Sequence, residues 1–276
     1  MTSSTESRLR ECLESLLCKR AMLRLERGSL ATLVLGDEHA DYGFDPAGCP
    51  GAFNLASARQ DLKYAFFLYD KLVGRYPTLK TVVVFYSAFS SGFLLEGSTP
   101  LGQLAPVLNE VFQLGLQYDD THLVEMARGI HGRFVRSEAR IEGCRGFLPR
   151  HGKIFSPARF DWKRVADSLA DIRRGTDADF YLARLLVLAR HLGHRVIVVI
   201  PPVRPDFAQA LSTGSAGVFA RLHGILDDYR LEGRIELLDC RGDSRFTADQ
   251  FGDHHYLDPL GEGTQILSDL IRDRLQ

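Results

Sequence analysis

Three runs of the chain are apolar without interruption: LATLVLG (30–36), TVVVFYS (81–87) and RVIVVIPP (195–202). A strand with one wetted face alternates apolar and polar residues, because successive side chains point to opposite faces. Runs that do not alternate have both faces covered, as parallel strands packed between helices do. The segment ARQDLKYAFFLYDKLVGRYP (58–77) lies between the first two and reads as a helix ended by Gly74 and Pro77. DADFYLARLLVLARHLGH (177–194) leads into the third and stops at Gly193. A weaker strand, GRIELLDC (233–240), and a C-terminal amphipathic helix, LGEGTQILSDLIRDRLQ, continue the alternation. Strand, helix, strand with right-handed crossovers predicts an α/β fold. Its form is a three-layer α/β/α sandwich with a central parallel sheet, doubly wound.

Leu9, Leu13, Leu16, Leu17, Leu23 and Leu25 recur at helical spacing before Gly28, so residues 1–28 are expected to form an N-terminal helix packed on the domain. The stretch from about 97 to 165 carries helical patterns and no strong strand, and is read as a helical insertion within a single domain spanning 1–276. The chain has 276 residues, 45% of them hydrophobic, enough for a sizeable core. Lys and Arg number 34 against 35 Asp and Glu, without a like-charge block, which argues against a nucleic-acid partner. Five dispersed cysteines contain no C-x-x-C pair, so reduced thiols are expected rather than a disulfide framework or zinc knuckle. No signal peptide or membrane span is legible, and a cytoplasmic protein is expected. Nothing in the sequence specifies an oligomeric state.

In open α/β sheets, ligands bind beyond the carboxyl ends of the strands. The polar groups at those ends are Asp37-Glu38-His39, Ser87 with Ser90-Ser91-Gly92, and Arg204 after Pro201-Pro202-Val203. A fourth group, Asp253-His254-His255-Tyr256, precedes the last helix. Arg204 suits an anionic ligand group and Arg59 is a weaker candidate of the same kind. Trp162 is a lone aromatic more in keeping with packing than with sugar stacking.

In their order these motifs resemble the SGNH (GDSL-type) hydrolases, and more closely the branch found in cell-envelope and exopolysaccharide gene clusters. That branch begins Gly-Asp-Ser-His and continues Tyr-Gly-hydrophobic-Asp-Pro. The chain has Gly36-Asp37-Glu38-His39 and then Tyr42-Gly43-Phe44-Asp45-Pro46. Asn54-Leu55-Ala56, Gln60-Asp61-Leu62 and Pro201-Pro202-Val203 match in turn, over about two thirds of the chain. The resemblance implies acyl-ester chemistry on a glycan or small-molecule substrate. There a serine attacks, a histidine takes its proton, and an aspartate three residues earlier orients the histidine.

The sequence departs from that pattern at both reacting positions. Glu38 stands where the serine would be, and Tyr256 where the histidine would be, while Asp253 keeps its place. A carboxylate is a poor nucleophile toward an ester but can act as a base on water. One expectation is therefore an esterase or acyltransferase with Asp37, Glu38, Asp253 and His255 as its reacting groups. His39, Asn54, Ser87, Arg204, His254 and Tyr256 would bind substrate. A second is a catalytically inactive SGNH-like binding or accessory protein. A third is a metal-dependent enzyme using Glu38, His39, His254 and His255 beside Asp37 and Asp253, although neither segment has metal-motif spacing. No cofactor is otherwise predicted.

Overall fold

The computed structural model describes residues 3–97, 102, 104–117, 125, 144–148, 177–211, 216–229, 234–253 and 255–276. His254, Trp162 and most of the expected 97–165 insertion lie outside the described residues.

Five strands form one sheet: β1 (Thr32–Leu35), β2 (Ala52–Asn54), β3 (Thr81–Phe85), β4 (Arg195–Ile200) and β5 (Ile235–Asp239). Their order is β2-β1-β3-β4-β5 and every pairing is parallel. Eight α-helices are described: α1 (Ser3–Leu25), α2 (Glu38–Gly43), α3 (Leu62–Val73), α4 (Leu104–Phe112), α5 (Asp177–Leu192), α6 (Pro205–Leu211), α7 (Ala216–Tyr229) and α8 (Glu262–Leu275). The architecture is the expected three-layer α/β/α sandwich. None of the described helices is long and apolar enough to cross a membrane.

The unbroken apolar runs have a direct physical explanation. Leu33, Leu35, Val82, Val84, Val196 and Val198 enter one core cluster, which α1, α3, α4, α5 and α7 cover. Val34, Val83, Phe85, Ile197 and Val199 enter the other, beneath α2 and α8. Alternate residues of one strand thus serve opposite cores, and both sets must be apolar. Each such side chain contributes about 1.5–3 kcal/mol of burial.

The structure adds one strand that the sequence reading did not include and moves the start of one helix. Strand β2 is only Ala52–Asn54, too short for its three residues to show a period. Its edge is covered by the 144–148 segment, with the Asn54 N–H donating to the Arg145 carbonyl at 2.9 Å. The helix expected over 58–77 begins at Leu62, because the Asp61 side chain caps it by accepting the Tyr64 N–H at 2.8 Å. Residues 58–60 instead form a turn, and the Gln60 side chain accepts the Gly36 N–H at 2.9 Å.

Candidate functional site

The strand order reverses direction between β1 and β3, and the crevice at such a switch point is where open α/β sheets bind ligands. Chain geometry there depends on Gly36, whose φ is +145° and which no side-chain-bearing residue could replace without strain. A Cβ at Gly36 would lie 2.7 Å from the Phe85 Cβ of β3. The turn carries Asp37 to the N-cap of α2, where its carboxylate accepts the His39 N–H at 3.0 Å.

Asp37 is the hub of the crevice. Its Oδ1 lies 2.9 Å from His39 Nδ1, and its Oδ2 accepts the Ser87 hydroxyl at 2.8 Å across the β1/β3 boundary. Burial raises the Asp37 pKa, but His39 and these bonds outweigh it and hold the carboxyl below its ordinary value. Burial alone would lower the His39 pKa; the Asp37 carboxylate beside it raises it instead. Each group thus favours the charged form of the other. The His39 ring also hydrogen-bonds the backbone of His255, so its polar edge is committed to holding the site together.

Glu38 is the first residue of α2 and half-buried. Its carboxyl accepts the Arg59 backbone N–H at 3.2 Å and pairs with Arg59 Nε at 3.1 Å. Arg59 adopts a left-handed φ of +63°, an unfavourable conformation for a residue with a side chain. That conformation presents both its N–H and its guanidinium to one carboxylate. Burial raises the Glu38 pKa above the ordinary value; Arg59 opposes this and Asp37 adds to it.

The late loop closes the crevice. Phe251 and Leu257 form an antiparallel bridge that fixes the turn between them. Within it Tyr256 hydrogen-bonds the Asp253 side chain, and burial followed by the Asp253 charge raises the Tyr256 pKa; Glu38 contributes in the same direction. The phenol of Tyr256 thus bonds the carboxylate three residues before it. The His255 ring lies 5.0 Å from the His39 ring and 5.0 Å from that of Phe89.

Two cavities share Glu38 and Arg59 as a common wall. One, of about 100 Å³, is lined by Asp37, Gln60, Asp61, Ser90 and His255, with Phe89 and Phe93. Burial pushes the Asp61 carboxyl up to about 6. The other, of about 190 Å³, has Leu16, Leu104 and Leu108 among its walls.

Of the residues predicted from sequence, Asp37, Glu38, His39, Ser87, Asp253, His255 and Tyr256 come together. Two do not belong to the pocket. The Asn54 amide donates to the carbonyls of Ala40 and Phe44, both at 2.8 Å, and its oxygen accepts the Ala56 N–H. It is a buried brace under α2 rather than a ligand contact. Arg204 is buried, pairs with Asp206 at 2.8 Å and lines neither cavity. Ser87 is 1% exposed and serves Asp37 rather than a ligand. Among the described residues no group of three His, Cys, Asp or Glu side chains is arranged to hold a metal ion.

Lys19 is the contributor that sequence reasoning missed. Fully buried on α1, it donates to Asp41 of α2 at 2.6 Å and to the Ala56 carbonyl. The available signal was its helical phase, three residues after Leu16 and four before Leu23, which puts a charge on the buried stripe. No protein-family model matches this chain, and no curated protein matches it.

Proposed function

We propose that the chain is an SGNH-like protein that hydrolyses or transfers an acyl ester of a carbohydrate, with Glu38 as the proton-transfer group in the serine's position. One observation carries this: a half-buried carboxyl with a raised pKa, at the switch point of the sheet, lines two cavities that Arg59 also borders. The carbohydrate part comes from the sequence resemblance. In hydrolysis, ionised Glu38 takes a proton from water as the water oxygen bonds the acyl carbon. The ester C–O bond then breaks, and Glu38 returns the proton to the leaving sugar oxygen, giving acid and alcohol. Arg59, whose side chain is 43% exposed, faces the same space and suits the negative charge that develops on the carbonyl oxygen.

A second reading is a binding protein without turnover. It is favoured by the double hold of Arg59 on Glu38 and by the commitment of His39 to Asp37 and the His255 backbone. Hydrolysis of acetylated sugars and aryl esters separates the two. Turnover by the native chain that falls about 10²-fold or more in Glu38→Gln supports the enzyme. Turnover unaffected by that change overturns the assignment of Glu38, and sugar binding without turnover selects the second reading. A serine-directed fluorophosphonate should leave the protein unlabelled.

A further inference from the structure

The larger cavity bordered by Glu38 and Arg59 has walls of two kinds. Glu38, Asp41 and Tyr42 of α2, with Ser15 and Ser57, bring carboxylates and hydroxyls. Leu16 of α1 and Leu104 and Leu108 of α4 bring apolar surface, each at most 2% exposed. Asp41 pairs with Lys19 and Glu38 with Arg59, yet a carboxylate has about four acceptor sites and one cation does not fill them. An alkyl chain here would strip water from those oxygens without supplying a donor, which is unfavourable. A pyranose ring supplies donors from the hydroxyls around its edge, while the C–H bonds of its faces suit the leucines. An apolar cavity of roughly 150 Å³ holds one benzene molecule. The space here is about 190 Å³, enough for one six-membered ring.

We infer that this cavity, walled by α1, α2 and α4, is the subsite for the ring of a neutral sugar, with the ester oxygen at the Glu38–Arg59 wall. Carboxylates line the space at Glu11, Glu38 and Asp41 against one guanidinium at Arg59, so a uronate or a sugar phosphate meets like charge. This placement sets the leaving sugar oxygen beside the carboxyl that returns its proton. The assignment rests on the carbohydrate reading above, and it adds the ring's location and charge class. It also gives the N-terminal helix a functional face, because Glu11, Cys12 and Ser15 border the space.

Cys12 supplies a probe that does not depend on turnover. Cys18, Cys49 and Cys240 are buried and Cys144 is exposed, so Cys144→Ser leaves Cys12 as the accessible thiol. In that background at least one of the methyl glycosides of glucose, galactose and mannose should slow labelling of Cys12 by a small maleimide at least fivefold. The methyl glycoside of glucuronic acid should not. Glu11→Lys, a change at an exposed position of α1, should raise protection by the glucuronic acid glycoside at least threefold. An absence of protection by all three neutral glycosides overturns the subsite, and ester turnover beside that result leaves the acyl-ester reading standing. Equal protection by the glucuronic acid glycoside overturns the neutral-sugar assignment. Protection by a neutral glycoside without ester turnover supports the subsite and overturns the acyl-ester reading. Should Glu11→Lys fail to fold, the protection experiment on the Cys144→Ser chain decides alone.

Discussion

Asp37 and His39 stabilise each other's charged forms in a place where burial opposes both. For His39 the stabilisation is present below the ordinary histidine pKa and is lost as pH rises through its raised folded value. For Asp37 it is present above the ordinary aspartate pKa and is lost as pH falls through its lowered one. Asp37→Asn removes the partner and leaves burial as the dominant influence on the ring. The His39 titration, followed by NMR, should then move from above the ordinary histidine value to below it. A ring that still titrates above it in the variant would show that another group holds the charge. Glu38 carries a matching expectation. Its base role requires the ionised form, so turnover should rise with pH through a value above that of an ordinary glutamate.

At the scale of elements, α1 is tied to the site by one buried cation. Lys19 joins Asp41 and the Ala56 carbonyl, linking the first helix to α2 and to the loop after β2. Removing one partner of a buried ion pair costs about 3–5 kcal/mol, because the other charge stays buried without compensation. Lys19→Met should therefore lose about that much in urea unfolding, and the amides of α1 should exchange faster than those of α5. A loss under about 1 kcal/mol would mean that Asp41 finds water or another partner. The Tyr76 hydroxyl donates to the Leu23 carbonyl at 3.0 Å, and apolar packing adds to the hold: Leu13, Leu16, Leu17, Met22 and Leu23 are buried, and α1 packs on α4.

For the whole molecule, the stability curve should slope in mildly acidic solution. Asp61 is 4% exposed and burial raises it from 3.8 to about 6, so the folded chain binds its proton more tightly than the unfolded chain does. Stability from this group is fully present below the unfolded pKa and is lost as pH rises to about 6, on the order of 3 kcal/mol over the two units. Denaturant unfolding of the native chain and Asp61→Asn between pH 4 and 7 should show the variant with the flatter profile. Equal slopes would place the proton elsewhere.

Much of this architecture was legible in the sequence because it is local. Continuous apolar runs declare strands with two covered faces, and the division of Leu33 and Val34 between opposite cores follows from strand geometry alone. The crevice residues Asp37, Glu38, Ser87 and His255 were legible because strand ends and the loop before the last helix are where such sheets place polar groups. What each side chain bonds was not. Ser87 reaches Asp37 over 50 residues and Lys19 reaches Asp41 over 22, pairings set by sheet register and helix docking. Arg59 grips Glu38 only because its backbone takes a left-handed turn, and Asn54 and Arg204 are spent on neighbours that no spacing announces. Periodicity along the chain decided the layers; the partners of individual polar groups depend on distances across the fold, and the tertiary structure alone decides those.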